Sequence, residues 1–198
     1  MSNNIISLFF QMEVNELKVD NQTLYVIDQK EDLGLEFSKL VSMMNYTRQT
    51  TLEAVKDLTI EDLDFLFDEE ANSIGMLLAH MASVEKAYQI VTFENRDLTD
   101  EEESDLNPAL DLGMHAREQI KGNPLEYYLD KLEQVRSETI ETFKTLSDEW
   151  LFEQAPFWWN RPANNFFKWF HVFEDELSHR GQIRLIKKMI LKRKELIK

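Results

Sequence analysis

The sequence predicts an all-α fold: a four-helix bundle with short extra helices in its connections and an N-terminal arm. Three observations lead there. The 198 residues are 43% hydrophobic and 11% aromatic, enough apolar material for a packed core and too much for a disordered chain. Only five glycines and four prolines occur, too few for the turns of a β-sandwich. Apolar residues also recur at helical spacing in four long stretches.

Residues 1–30 form the arm and 31–198 the bundle domain. Within the arm, residues 23–27 have strand-like composition and fit either an extended arm or a short hairpin. The first long helix spans about 33–56, with Phe37, Leu40, Val41, Met44, Thr47, Thr51 and Val55 as its buried stripe. Thr59 and Asp62 form a capping box that opens a short helix carrying Leu63 and Leu66. The second long helix starts at Asn72 or Ser73 and buries Ile74, Leu77, Met81, Val84, Tyr88 and Val91. Residues 94–105 hold seven acids and one base and read as a solvated connection. Residues 106–122 read as a loop with a short helical turn. Asn123, Pro124 and Glu126 suit the cap, N1 and N3 positions of a third long helix, which carries Leu129, Leu132, Val135, Thr139, Phe143 and Leu146. After an aromatic connection at 156–162, the fourth long helix runs over about 164–195. Its expected core stripe is Phe166, Phe170, Phe173 and Leu177, continued by Ile186, Met189 and Ile190.

The formal net charge is −15, which argues against nucleic-acid binding. It is uneven, with eight bases and one acid between Arg180 and Lys198. Such a basic end complements the helix macrodipole, or it receives an acidic partner. No cysteine occurs, so disulfides, thiolate metal sites and a cysteine nucleophile are excluded. No signal peptide or membrane-length apolar run is visible. A soluble, cytoplasmic protein is expected, without membrane contact.

The chemistry concentrates in the fourth helix. His171, Asp175 and His179 are spaced four apart and project from one helix face. Glu174, Ser178 and Gln182 flank them. A further histidine, His80, lies beside the apolar stripe of the second helix, and His115 falls in a connection as an exposed residue. The column reads either as a solvent face with ordinary Asp–His pairs or as part of a metal site, with His80 either a ligand or a satisfied core histidine. Two imidazoles and a carboxylate suit Zn, Ni, Fe or Mn. Three protein ligands leave coordination positions open, as catalytic sites require. Glu174, Glu176 and Gln182 are candidates to hydrogen-bond and orient the ligands. Trp158 and Trp159 either line a pocket mouth or shield the bundle end.

These residues resemble the DinB-like superfamily, and within it the branch known as DUF664-type or YfiT-like metal-dependent hydrolases. The resemblance rests on the segment 72–80 ending in His80, on 109–113 with the helix start after Gly122, on Arg136 with 146–148, and on the motif 171–183. It covers roughly residues 36–192. It implies a four-helix bundle holding a divalent metal on three histidines, one in the second helix and two in the fourth. Carried onto this sequence, the first is His80 and the last His179. The middle position is Asp175, a departure from the family pattern, so the implied set is two histidines and a carboxylate, with His171 as the alternative ligand. Some members use low-molecular-weight thiols such as bacillithiol or mycothiol in S-transfer or isomerisation. The resemblance thus implies a metal-dependent hydrolase or thiol S-transferase with a small-molecule substrate, and a homodimer formed through a bundle face. The competing expectations are a non-catalytic stress or ligand-binding protein with a degenerate site, or an interaction protein using the basic C-terminal helix.

Overall fold

The structure is a computed structural model and describes residues 23–196. The expected arm therefore lies mostly outside the described residues. Its last part is not a strand: residues 23–25 form a turn and 26–30 have no regular structure. Tyr25 packs against Tyr46, with ring centroids 6.1 Å apart.

The fold is all-α, 70% helical, with seven helices among the described residues. They are α1 (Leu35–Val55), α2 (Ile60–Leu63), α3 (Ile74–Phe93), α4 (Asp100–Leu110), α5 (Gly113–Gln119), α6 (Leu125–Phe143) and α7 (Asn165–Leu196). One antiparallel hairpin, β1 (Gln154–Pro156) and β2 (Pro162–Asn164), precedes α7, with Ala155 opposite Ala163. Among the described residues no helix is long and apolar enough to cross a membrane.

The four long helices, α1, α3, α6 and α7, make the bundle. α3 packs on α6 and α7, and α1 on α7. The whole expected stripe of α1 is buried. Ser73 caps α3 by accepting from Met76 N–H, and Thr59 and Asp62 form the expected capping box. α1 has no cap of its own. Its first amides instead donate to the carboxylate of Asp148, from Glu36 N at 3.1 Å and Phe37 N at 3.2 Å. Gly75 lets α3 approach α6 closely, because a Cβ there would stand 2.7 Å from the Tyr128 hydroxyl.

Four expectations need correction. The acidic run is no simple loop: from Asp100 it forms α4, opened by a Thr99–Glu102 capping box. Arg96 binds Glu102 through both terminal nitrogens, at 2.6 and 2.7 Å, and so offsets part of the repulsion. α6 begins one residue later than expected, with Pro124 outside it and no side-chain cap from Asn123. The core face of α7 is rotated. Phe173 is buried as expected, but Phe170 is exposed, and Trp169, Val172 and Glu176 are buried instead. Leu66 is exposed as well.

The core has two apolar clusters. One contains Val55, Leu77, Leu132 and Ile183, and the other Phe37, Met44, Phe143 and Trp169. Between them along the chain fall four buried charges, one from each long helix: Arg48, Glu85, Arg136 and Glu176. Arg48 Nε donates to Glu176 Oε1 at 3.0 Å, and its Nη2 to Glu85 Oε2 at 3.2 Å. Arg136 donates to both Glu85 oxygens at 2.8 and 3.0 Å, and Thr139 adds a 2.9 Å bond to Oε1. Two cations face two anions, so the layer is neutral. Charges buried this deeply persist only when paired and hydrogen-bonded, so the layer fixes the rotation of all four helices together.

Candidate metal centre

That fixed rotation sets the site. Glu176 points into the charged layer, and its neighbour Asp175 therefore faces α3 from the adjoining position on α7. His179 follows one turn later on the same face. His80 arrives from α3, where it is 9% exposed. The carbonyl of Ala109, near the end of α4, accepts a 2.9 Å hydrogen bond from His80 Nδ1. This leaves Nε2, with its lone pair, turned toward α7, the usual device for presenting a ligating imidazole.

Asp175 lies between the two rings. Its Oδ2 is 3.5 Å from His80 Nε2, and its Oδ1 is 3.3 Å from His179 Nε2. The rings meet edge to face with centroids 4.6 Å apart. One ligating atom from each of the three side chains lies within 4.8 Å of the others. The carboxylate contacts are longer than the roughly 2.7–2.9 Å of a tight charge-assisted hydrogen bond. They run to different oxygens of Asp175, and each is close to the ~3.3 Å between donors that Zn–N and Zn–O bonds near 2.0–2.1 Å give in a tetrahedron. Asp175 Oδ2 and His179 Nδ1 are buried without a hydrogen bond. The donor set and its unsatisfied atoms therefore fit a divalent cation. The side chains of His80, Asp175 and His179 are 11%, 18% and 12% exposed.

Burial alone would raise the Asp175 pKa, but hydrogen bonds and charge from His179 and His80 hold it far below the usual carboxylate range. Burial opposes charge on His80, yet the nearby Asp175 carboxylate and the carbonyls of Ala109 and Leu110 raise its pKa, so a cation binding here would displace a proton from its Nε2. The carboxylate is thus held ionised and ready to bind.

The polar column of α7 divides. Asp175 and His179 join His80, whereas His171 turns elsewhere. Its Nδ1 lies 3.2 Å from the Tyr88 hydroxyl, and its ring meets Trp158 edge-on at 4.7 Å. Glu174, Ser178 and Gln182 are exposed. His115 is exposed too, but within α5 rather than a loop. Trp158 is 49% and Trp159 84% exposed. With Phe157, Arg161 and Phe167 they line a cavity of about 480 Å³ beside the hairpin. Sequence reasoning did not identify Glu85, Glu176 or Arg48 as a network. The available signal was a charged residue on a buried stripe, as Glu85 is beside Leu78 and Met81.

The chain belongs to the family described as mycothiol-S-transferase, a DinB-like family, which it matches over residues 39–190. No curated protein sequence matches it. Among solved structures it is similar to a conserved protein from Enterococcus faecalis, with a TM-score of 0.60 at 15% identity, covering 77% of this chain and 95% of that one. An uncharacterized protein from Clostridium difficile 630 gives a TM-score of 0.57 at 17% identity, with the same coverages. A protein from Streptococcus pneumoniae gives 0.54 at 14% identity, covering 86% of this chain and 96% of that one. At these identities the likeness is one of fold.

Proposed function

We propose that this protein is a divalent-metal-dependent transferase that joins a low-molecular-weight thiol to a small electrophile. His80, Asp175 and His179 would hold the ion, which can be Zn, Ni, Fe or Mn. The observation that carries the reading is the meeting of these three side chains, from two helices, in a chain of a thiol-transferase family. When bound, the ion would supply Lewis acidity that favours thiolate over thiol near neutral pH. The protein's own groups do the rest. Ala109 fixes the His80 tautomer, Asp175 brings negative charge between two imidazoles, and the charged layer behind Glu176 holds α7 in register. With no cysteine in the chain, the reacting sulfur must come from a cosubstrate.

The test is elemental analysis of tag-free protein purified without chelators, joined to a thiol-conjugation assay with mycothiol and a chromogenic electrophile. About one equivalent of metal per chain is expected, lost in His80→Ala and His179→Ala together with conjugation. A native protein that takes up no metal on incubation would overturn the reading and leave a non-catalytic member of the fold. Turnover unaffected by His179→Ala would overturn it as well.

A further inference from the structure

The tip of the hairpin before α7 holds a large side chain in a strained backbone position. Trp159 has φ 54° and ψ 33°, in the left-handed region where a bulky residue is an outlier. Glycine or asparagine would meet that turn at less cost. The Trp159 ring is nonetheless 84% exposed, so the core gains little from it. Neither the backbone nor the packing calls for tryptophan here, and residues held in such regions cluster at ligand sites. The turn itself is well bonded. Phe157 N–H donates to the Arg161 carbonyl at 2.8 Å, and Asn160 N–H to the Phe157 carbonyl at 2.9 Å. Pro156 faces Pro162 at its base.

Trp159 helps to wall the cavity of about 480 Å³ beside the hairpin, a size within the roughly 300–1,000 Å³ of small-molecule sites. Four rings in two steeply angled pairs line it. Trp158 and Trp159 meet at 69° with centroids 6.1 Å apart, and Phe157 and Phe167 at 78° with centroids 6.3 Å apart. Such corners let a flat ligand stack on one ring and meet the next edge-on, the two arrangements that aromatic quadrupoles favour.

The charge of the cavity is one-sided. Arg161 lines it, and no acid does. The guanidinium lies 5.9 Å from the Trp159 ring centroid and, among the described residues, has no ion pair. In a chain of net charge −15 this is a local cation without a counter-charge. Asn164, also in the wall, accepts a 2.8 Å hydrogen bond from Phe167 N–H at the start of α7. The positive end of that 32-residue helix therefore borders the cavity and adds to its potential for an anion. A guanidinium fork matches the two oxygens of a carboxylate.

We propose that this cavity is a binding site for a planar aromatic carboxylate. The ring system stacks in the Trp158–Trp159 corner, and Arg161 holds the carboxylate at the rim. Trp158 also meets His171 edge-on at 4.7 Å, one turn before Asp175 on α7. The site needs no metal and does not rest on the transferase reading.

The experiment titrates metal-free, full-length protein by calorimetry with 2-naphthoate and, separately, with the neutral 2-naphthylmethanol. Saturable binding of both is expected, with naphthoate about 3- to 10-fold tighter, between the range of an exposed ion pair and that of a charged hydrogen bond. Arg161→Met should erase that preference and leave the neutral compound unaffected. Trp159→Gly should weaken both by about 5- to 30-fold, the scale of a lost aromatic stack with its buried area, and keep the native melting temperature. Four results would each overturn the proposal: no saturable naphthoate binding, a preference that survives Arg161→Met, binding unchanged in Trp159→Gly, or a melting temperature several degrees lower in that variant. A dimer that Trp159→Gly dissociates would assign the rings to a second copy and overturn it as well. Failure of naphthoate to bind leaves the transferase reading standing, since that reading is tested by metal uptake and thiol conjugation.

Discussion

Replacing Arg48 with Met tests whether the charged layer holds the bundle and its site together. The guanidinium makes three bonds to the Glu176 carboxylate at 3.0, 3.2 and 3.3 Å, one to Glu85 at 3.2 Å and one to the Leu132 carbonyl at 2.6 Å. Without it, Glu176 keeps one 3.5 Å contact to Arg136 while 2% exposed. Breaking a buried pair on one side costs about 3–5 kcal/mol. For a chain of this size each kcal/mol moves Tm by roughly 2–4 °C, so a fall of about 6–20 °C is expected by calorimetry. The double variant Arg48→Met, Glu176→Met removes a cation and an anion together. It should recover much of the loss, with a coupling of roughly 1–3 kcal/mol. Because Glu176 adjoins Asp175, metal retention should fall in the single variant and return in the double. A single-variant loss below about 1 kcal/mol, typical of an exposed ion pair, would refute the argument that the layer sets helix rotation.

Other outcomes follow from the same structure. Asp148→Ala removes the cap that another segment supplies to α1 and should cost about 0.5–2 kcal/mol in urea melts, with metal content unchanged. Glu85 is pushed up by burial but pulled further down by Arg136 and Arg48, so its folded pKa lies below the usual 4.5. A depressed carboxylate contributes stability above its unfolded pKa that is lost as pH falls through the folded value. Stability should therefore drop below pH 4.5, and Glu85→Gln should flatten that slope in acid titrations followed by circular dichroism. Trp159 holds a φ of 54° at the hairpin tip and is 84% exposed. Trp159→Gly should relieve that backbone cost and leave Tm unchanged or slightly higher; a fall of several degrees would show that the ring packs in solution.

The helices were legible because their signals are local. The stripe of α1, the Thr59–Asp62 box and the Ser73 cap each depend on residues a turn apart, and each formed as the spacing required. The acidic run was misread because its charges suggested solvent, while Thr99 and Glu102 supply a capping box and Arg96 a counter-charge. The face of α7 was misjudged for a related reason. Phe170 is more apolar than Glu176, but Glu176 has arginines from two other helices waiting for it.

The sequence by itself determined the all-α class, the four long helices, and the i, i+4 pairing of Asp175 with His179, because periodicity and capping act within one element. Only the tertiary structure decided that His80 joins that pair and His171 does not. It also decided that Arg48, Glu85, Arg136 and Glu176 neutralise one another and that Asp148 caps a helix more than a hundred residues away. Those contacts depend on how the helices rotate against one another, and that rotation is set by burying four charges at once, a requirement no single stretch of sequence can express.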